Sequence, residues 1–305
     1  MYDVIILGAG PAGLTAALYA ARGKLKSLVI TGPMVGGQIA LTYQVDNYPG
    51  FPEGLTGPEL SERFKAHAER FGAEFIDAEA TRVDLASNPY RVWVGDRVYE
   101  TSSLIVATGM THMRLGVPGE DRLMGRGVFV CATCDALLYE DRKVVVVGGG
   151  DSALQEALDL AKFASEVTIV HRRDELRACR CLTDKALGEP RIKLLYSTVV
   201  EEILGEKRVN GVRLRDLKTG EMKVVDTDGL LLAIGWNPNT TVLRGELEMD
   251  EAGYPKTDGV KTSKPGVFVA GDLIDRNYRQ VVTSCGSGCG AALETIHWLE
   301  AQPRH

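Results

Sequence analysis

The sequence predicts an α/β protein made of two Rossmann-like dinucleotide-binding domains, the second inserted into the first. Three observations lead there: a glycine-rich turn between strand and helix that occurs twice, a closing strand that also occurs twice, and a C-terminal tail that the second copy lacks. Val4-Ile5-Ile6-Leu7 runs into Gly8-Ala9-Gly10-Pro11-Ala12-Gly13, and 140 positions on Val144-Val145-Val146-Val147 runs into Gly148-Gly149-Gly150-Asp151-Ser152-Ala153. Continuous Val/Ile/Leu runs are what strands buried on both faces require.

The elements follow in order. Leu14, Ala17, Leu18 and Ala21 in the first copy, and Leu154, Ala157, Leu158 and Ala161 in the second, have the i, i+3, i+4, i+7 spacing of an amphipathic helix. A second strand follows each helix, Ser27 to Ile30 and Glu166 to Val170, so both copies are βαβ units. Each unit closes on a buried strand ending in glycine: Leu104-Ile105-Val106-Ala107-Thr108-Gly109 and Leu230-Leu231-Leu232-Ala233-Ile234-Gly235. After the second comes one more strand, Val267-Phe268-Val269-Ala270-Gly271-Asp272, then a polar loop and a helix from about Gly288 to Glu300. The tail belongs with the first copy. The expected division is 1–114 and 243–305 for the host domain and 115–242 for the insert, with crossings near Leu115–Gly119 and Leu243–Gly245 forming a two-stranded, hinge-like linker.

Composition narrows the function. The chain has 305 residues, room for about two domains at ~150 residues each. With 45% hydrophobic and 25% charged residues it is an ordinary globular chain, and 34 glycines against 12 prolines suit a protein with many tight backbone approaches. A net charge of −6 argues against a nucleic-acid binder. No run approaches the ~20 apolar residues of a membrane span, and Met1-Tyr2-Asp3 has an acid where a signal peptide needs cations. A cytoplasmic protein is expected. The six cysteines fall in three close pairs, which in a reducing compartment point to redox chemistry or metal.

The two glycine turns differ in taste. In the first, a full G-x-G-x-x-G between strand and helix suits a dinucleotide, with the pyrophosphate at the helix N-terminus. Its second strand ends in Ile30-Thr31-Gly32, without the acid that NAD sites use on the ribose. The second turn reads G-x-G-x-x-A through Gly148, Gly150 and Ala153, and its second strand is followed by His171-Arg172-Arg173 and by Arg177. Arginines at the ribose edge match a 2′-phosphate, so this copy is expected to take NADPH. Cys131-Ala132-Thr133-Cys134 lies ten residues before the strand that opens the insert, and its spacing allows a reducible disulfide. Zinc is the alternative, but neither of the other cysteine pairs repeats the C-x-x-C spacing. Cys179 and Cys181 stand two apart on an expected helix and so on different faces, whereas Cys285 and Cys289, four apart, could share one.

In order and at these intervals, the motifs resemble the low-molecular-weight, bacterial-type thioredoxin reductases of the pyridine nucleotide-disulfide oxidoreductases, over nearly the whole chain. The resemblance rests on Gly8 to Gly13, Thr31-Gly32 to Gly36-Gly37-Gln38, Asn47-Tyr48-Pro49-Gly50, Ala107-Thr108-Gly109, Cys131 to Asp135, and Gly148 to Ala153. It rests equally on His171-Arg172-Arg173 with Arg177, on Ala233-Ile234-Gly235, and on Gly271-Asp272 with Arg279-Gln280. It implies that FAD is bound by the first turn (Gly8, Gly10, Pro11, Ala12, Gly13) and by Thr31, Gly32, Gly36, Gly37 and Gln38. Asn47, Thr108, Gly109, Gly271, Asp272, Arg279, Gln280 and Val281 complete that implied set. It implies NADPH on Gly148, Gly150, Asp151, Ser152, His171, Arg172, Arg173, Arg177, Ile234 and Gly235.

At the cysteine pair the resemblance implies that Cys134 takes electrons from the flavin, Cys131 attacks the disulfide of thioredoxin or a thioredoxin-like protein, and Asp135 handles the proton. From the residues alone, the blander reading of Asp135 is a helix N-cap or turn acid. A homodimer is implied as well. The chain departs from the family at Ala136-Leu137-Leu138, where glycine and aromatic residues are usual, and at Trp236, where a polar residue is usual. A related flavoenzyme feeding ferredoxin would have no need of Cys131 and Cys134. A ferredoxin-fed reductase or a dithiol oxidase would have no need of the arginines, and a non-catalytic sensor could keep the glycine turns without turnover.

Overall fold

The computed structural model describes residues 1–302. They divide into two compact units, Met1–Thr111 with the chain from Pro238 onward, and His112–Asn237.

In the first unit the strands Tyr2–Leu7, Ser27–Ile30 and Glu74–Ile76 lie side by side and parallel. On the other flank of Tyr2–Leu7 runs the long strand Arg97–Val106, which divides its pairing. Its first half holds Tyr90–Val94 antiparallel, and that strand in turn holds Arg82–Asp84; its second half holds Val267–Val269 parallel. Val4 to Leu7 and Leu104 to Val106 are almost wholly buried, as the uninterrupted apolar runs require. The C-terminal tail thus completes the sheet of the first copy.

The first helix, Pro11–Arg22, turns Ala12, Gly13, Ala16, Ala17, Ala20 and Ala21 inward, small residues that let another backbone come close. That neighbour is the last helix, Val281–Glu300, where a Cβ on Gly288 would collide with the Ala12 carbonyl. This helix starts seven residues before the expected Gly288. The segment Val281 to Ser287 is β-branched or small and reads as a poor helix former, but a reciprocal cap between Gln280 and Thr283 and packing on the first helix override propensity.

The second unit repeats the plan. Its parallel sheet has the order Ile192–Leu195, Glu166–Val170, Lys143–Val147, Gly229–Leu232, Val128–Phe129, covered by the helix Asp151–Leu160. A separate antiparallel sheet, Thr198–Leu204, Gly211–Asp216 and Met222–Asp226, fills the interval before the closing strand.

The chain crosses between the units in two short strands, Met110–His112 and Trp236–Pro238, which pair with one another. These lie a few residues ahead of the expected linker. Leu115 packs against the core of the second unit, and Leu243 is fully buried in the core of the first. No helix among the described residues is long and apolar enough to cross a membrane.

Gly288→Ala is expected to lower the unfolding free energy of the first unit by about 1–3 kcal/mol, the usual cost of overpacking a close contact. Urea denaturation measures this, and an unchanged midpoint would mean the two helices can separate without penalty.

Candidate functional site

Each glycine turn separates residues that the fold needs from residues that it leaves open. Gly8 closes the first turn at φ +102°, and a Cβ there would run into the Ala107 carbonyl. A Cβ on Gly13 would strike the Gly8 carbonyl, so both glycines are demanded by strand and helix packing. Gly10 is different, since the nearest atom to a Cβ there is the Gly36 carbonyl oxygen at 4.0 Å. Gly10 also caps the helix with no side chain, and Pro11 opens it, so the amides of the first turn are left for an acceptor.

The predicted residues of the first unit gather around this turn. Ala9 N–H donates to the Thr31 carbonyl at 3.0 Å and Gly36 N–H to the Ala9 carbonyl at 2.7 Å, which lays the loop from Thr31 to Gln38 against the glycines. Thr31 is buried with its hydroxyl donating to the Gly32 carbonyl. Thr108 adjoins Gly8, and Asn239 holds it in place: Thr108 Oγ1 donates to the Asn239 carbonyl at 2.6 Å, and Asn239 N–H donates to Gly109 at 3.0 Å. From the far end of the chain, Asn47 Nδ2 donates to Gln280 Oε1 at 3.2 Å, beside Val281 at the start of the last helix. Gly271 N–H is held by Ser287 Oγ, and Ser284 Oγ donates to Asp272 Oδ1 at 3.0 Å. Burial holds the Asp272 carboxyl above its ordinary pKa, opposed by the Ser284 bond and by Arg279, which sits at φ +50°.

These residues fit a flavin dinucleotide. The buried Gln38 Oε1 has no hydrogen-bond partner among the described residues, and the open face of Gly10 stands at a helix start with no side-chain cap. Cys285, by contrast, serves packing. Its Sγ lies 3.9 Å from the Tyr48 hydroxyl and 3.8 Å from the Pro11 carbonyl, and burial pushes its thiol up, which leaves it a poor nucleophile.

In the second unit Gly148 makes the turn at φ +154°, where a Cβ would meet Ala233 and Ala153, while a Cβ on Gly150 would meet nothing within 4 Å. Gly150 is therefore the open position of this turn, at the start of the helix that carries Asp151 and Ser152. Arg172, Arg173 and Arg177 stand exposed along the loop after Glu166–Val170, whereas His171 is buried beneath them. Cys179 lies outside its helix as the N-cap of Arg180–Gly188, so only Cys181 of that pair is helical. Ile234 and Gly235 follow the closing strand, and the Gly235 carbonyl accepts from Met113 N–H at 2.9 Å. Three exposed guanidinium groups and an open glycine turn suit a nucleotide with an additional phosphate.

The cysteine pair belongs to this same unit. Cys131 and Cys134 form a disulfide, with Cys131 capping the short helix Ala132–Asp135 and its Sγ accepting from Cys134 N–H at 3.2 Å. Glu156, on the helix that opens at the glycine turn, accepts from Ala132 N–H at 3.2 Å and anchors the motif; no sequence signal marked it. Asp135 precedes a 3₁₀ turn but makes no side-chain cap bond to it. Instead burial alone pushes its carboxyl up to about 7, a value at which it can hold or release a proton near neutrality. Leu137 and Leu138 follow on the surface, 66% and 38% exposed.

Two parallel-sheet units, each with a glycine turn of dinucleotide type, and a C-x-x-C disulfide on the second define an oxidoreductase of the two-nucleotide-domain class. Residues 2–288 match the family model described as pyridine nucleotide-disulphide oxidoreductase. The chain is 46% identical over 304 residues to a thioredoxin reductase of Mycolicibacterium smegmatis, covering 99% of this chain and 98% of the relative. It is 44% identical over 308 residues to a thioredoxin reductase of Vibrio cholerae, covering 98% and 97%. Among solved structures, thioredoxin reductase from Streptococcus pyogenes superposes with a TM-score of 0.94 at 39% identity, covering 99% of each chain. The chain belongs to the pyridine nucleotide-disulphide oxidoreductase family.

The raised Asp135 pKa has a consequence for stability. An unfolded chain releases this proton near pH 4, the folded one near 7, so folding becomes less favourable as pH rises between those values. Asp135→Asn removes that loss. Its stability relative to wild type should climb from pH 4 to pH 8 by about 3 kcal/mol, allowing for the solvent that still reaches the group. A pH-independent difference in urea denaturation would refute the shift.

Proposed function

We propose that the protein is an NADPH-dependent flavoprotein that reduces the disulfide of thioredoxin or a thioredoxin-like protein, passing electrons from NADPH through FAD to Cys131 and Cys134. One observation carries this reading: the C-x-x-C disulfide, with an acid of pKa about 7 beside it, is built onto the same unit as the arginine-flanked glycine turn. The relatives named thioredoxin reductase support it across almost the full length of the chain.

In this reading the open glycine turn at Gly148 to Ala153 takes the NADPH pyrophosphate, and Arg172, Arg173 and Arg177 take the 2′-phosphate. The first unit holds FAD on the Gly8 to Gly13 turn, the loop from Thr31 to Gln38, and the Asn47, Asp272 and Arg279–Val281 segments. Bound there, the flavin supplies the two-electron relay between nicotinamide and disulfide. Reduction opens the Cys131–Cys134 bond, and Asp135 holds the proton of the inner thiol on Cys134. The Cys131 thiolate attacks the partner's disulfide and forms a mixed disulfide, releasing one partner thiolate. Cys134, deprotonated toward Asp135, then attacks Cys131 Sγ, which restores the intramolecular bond and frees the partner as a dithiol. Because nucleotide turn and disulfide share one unit, that unit turns on its two crossings to bring each in turn to the flavin. A homodimer, implied by the resemblance, and a cytoplasmic setting, suggested by the cysteine usage, complete the reading.

Anaerobic stopped-flow tests it. Mixing the yellow holoprotein with NADPH should bleach the flavin, and adding oxidised thioredoxin should restore the colour in wild type but not in Cys131→Ser. Bleaching without thioredoxin-dependent recovery would transfer the activity to another acceptor, and no bleaching would exclude nicotinamide as donor.

Replacing Arg172 and Arg173 together by Ala should raise KM for NADPH about 100-fold, at ~1.5 kcal/mol for each charge-assisted bond, with KM for NADH nearly unchanged. Equal effects on both nucleotides would remove the 2′-phosphate role.

A further inference from the structure

One glycine of the second turn is explained neither by the turn nor by an approaching ligand. Gly148 supplies the positive φ, and Gly150 faces open space. Gly149 between them has no positive φ, yet a Cβ there would fall onto the imidazole of His171, against Nδ1, Cε1 and Cγ. The glycine is therefore required by a side chain, and that side chain is only 5% exposed.

His171 is clamped from every side. Its backbone N–H donates to the Leu195 carbonyl at 2.9 Å, and its carbonyl accepts from Thr198 N–H at 3.0 Å, which fixes the residue at the end of its strand. Its Nε2 lies 3.0 Å from the Glu175 carbonyl oxygen, so the ring closes the loop that carries Arg172, Arg173 and Arg177. A carbonyl only accepts, which assigns the proton to Nε2, and the ring lays its face, at the Nδ1 side, against Gly149. Burial lowers the pKa of the ring, opposed by the Glu175 hydrogen bond and reinforced by the three arginines. Two more struts join the same segments: Arg177 N–H donates to the Gly149 carbonyl at 2.7 Å, and Cys179 N–H donates to Asp151 Oδ1 at 2.7 Å.

We propose that His171 is a positioning residue, wedged between Gly149 and the Glu175 carbonyl, that sets the spacing between the glycine turn and the guanidinium cluster. A nucleotide that must reach a pyrophosphate anchor and a 2′-phosphate anchor together gains from both only when their separation is held. The family resemblance implies a nucleotide contact at this histidine; the geometry gives it the role of holding others in place. The inference rests on the NADPH reading above.

A double-mutant cycle on the FAD-loaded protein tests it, with NADP⁺ and NAD⁺ as calorimetric titrants and urea denaturation of the same variants in parallel. His171→Ala should weaken NADP⁺ about tenfold and reduce the preference for NADP⁺ over NAD⁺, an effect that a merely structural role would not produce. Gly149→Ala alone should cost about as much, because its methyl displaces the ring. Introduced into His171→Ala, the same substitution should cost less than about twofold, since the space is then vacant, and the urea midpoints should be correspondingly non-additive. His171→Gln, which can still donate to Glu175, should recover part of the loss. Independent, multiplicative losses in binding or additive losses in stability would overturn the wedge while leaving the NADPH reading in place. A wild-type protein that binds no NADP⁺ would overturn that reading and this role together.

Discussion

The structure depends on two places where a helix start meets the end of a parallel strand with nothing larger than a methyl group between them. At Gly8 and Gly13 backbone packs on backbone, and at Gly148 the Ala233 carbonyl and the Ala153 methyl close on the turn, so a Cβ on any of these three glycines would force helix and strand apart. That closeness turns unclaimed amides toward the open glycine of each turn, Gly10 or Gly150, and makes an anion cradle from packing alone. The helix–helix contact at Gly288 and Ala12 follows the same rule, so the last helix can bring Gln280 and Val281 up to the first turn from the other end of the chain.

Desolvation does the chemical tuning. Asp135 and Asp272 lie in different units, yet burial is the first cause of the raised pKa in each. Asp272 is steadied by Ser284 and Arg279, which oppose the shift. Among the described residues Asp135 has no such partner, and its carboxyl can take a proton near neutrality beside a disulfide whose reduction requires one. Burial also makes Cys285 unreactive, so the same physical effect separates a redox cysteine pair from a packing cysteine.

Much of this was legible in the residues. The repeated apolar runs, glycine turns and second strands Ser27–Ile30 and Glu166–Val170 lie where period and composition place them, because buried parallel strands leave a one-dimensional signature. The antiparallel strands Arg82–Asp84 and Tyr90–Val94 and the separate sheet Thr198–Asp226 were not anticipated, since their half-exposed strands alternate weakly and carry many charges. The last helix began early at Val281, where packing outweighs a β-branched sequence. His171 reads in the sequence as one more member of a basic run; only its burial against Gly149 distinguishes it from the arginines that follow.

The sequence by itself determined the two βαβ units, the spacing of the cysteine pair and the contrast between Thr31-Gly32 and His171-Arg172-Arg173, since these are matters of local period and residue chemistry. Tertiary structure alone decided which glycines are held by packing and which stay open, where the tail joins the first sheet, and how far burial lifts the Asp135 proton. Those properties depend on what lies across space from a residue, and the partners concerned, Ala107 for Gly8, Ala12 for Gly288 and Glu156 for the cysteine motif, are remote along the chain.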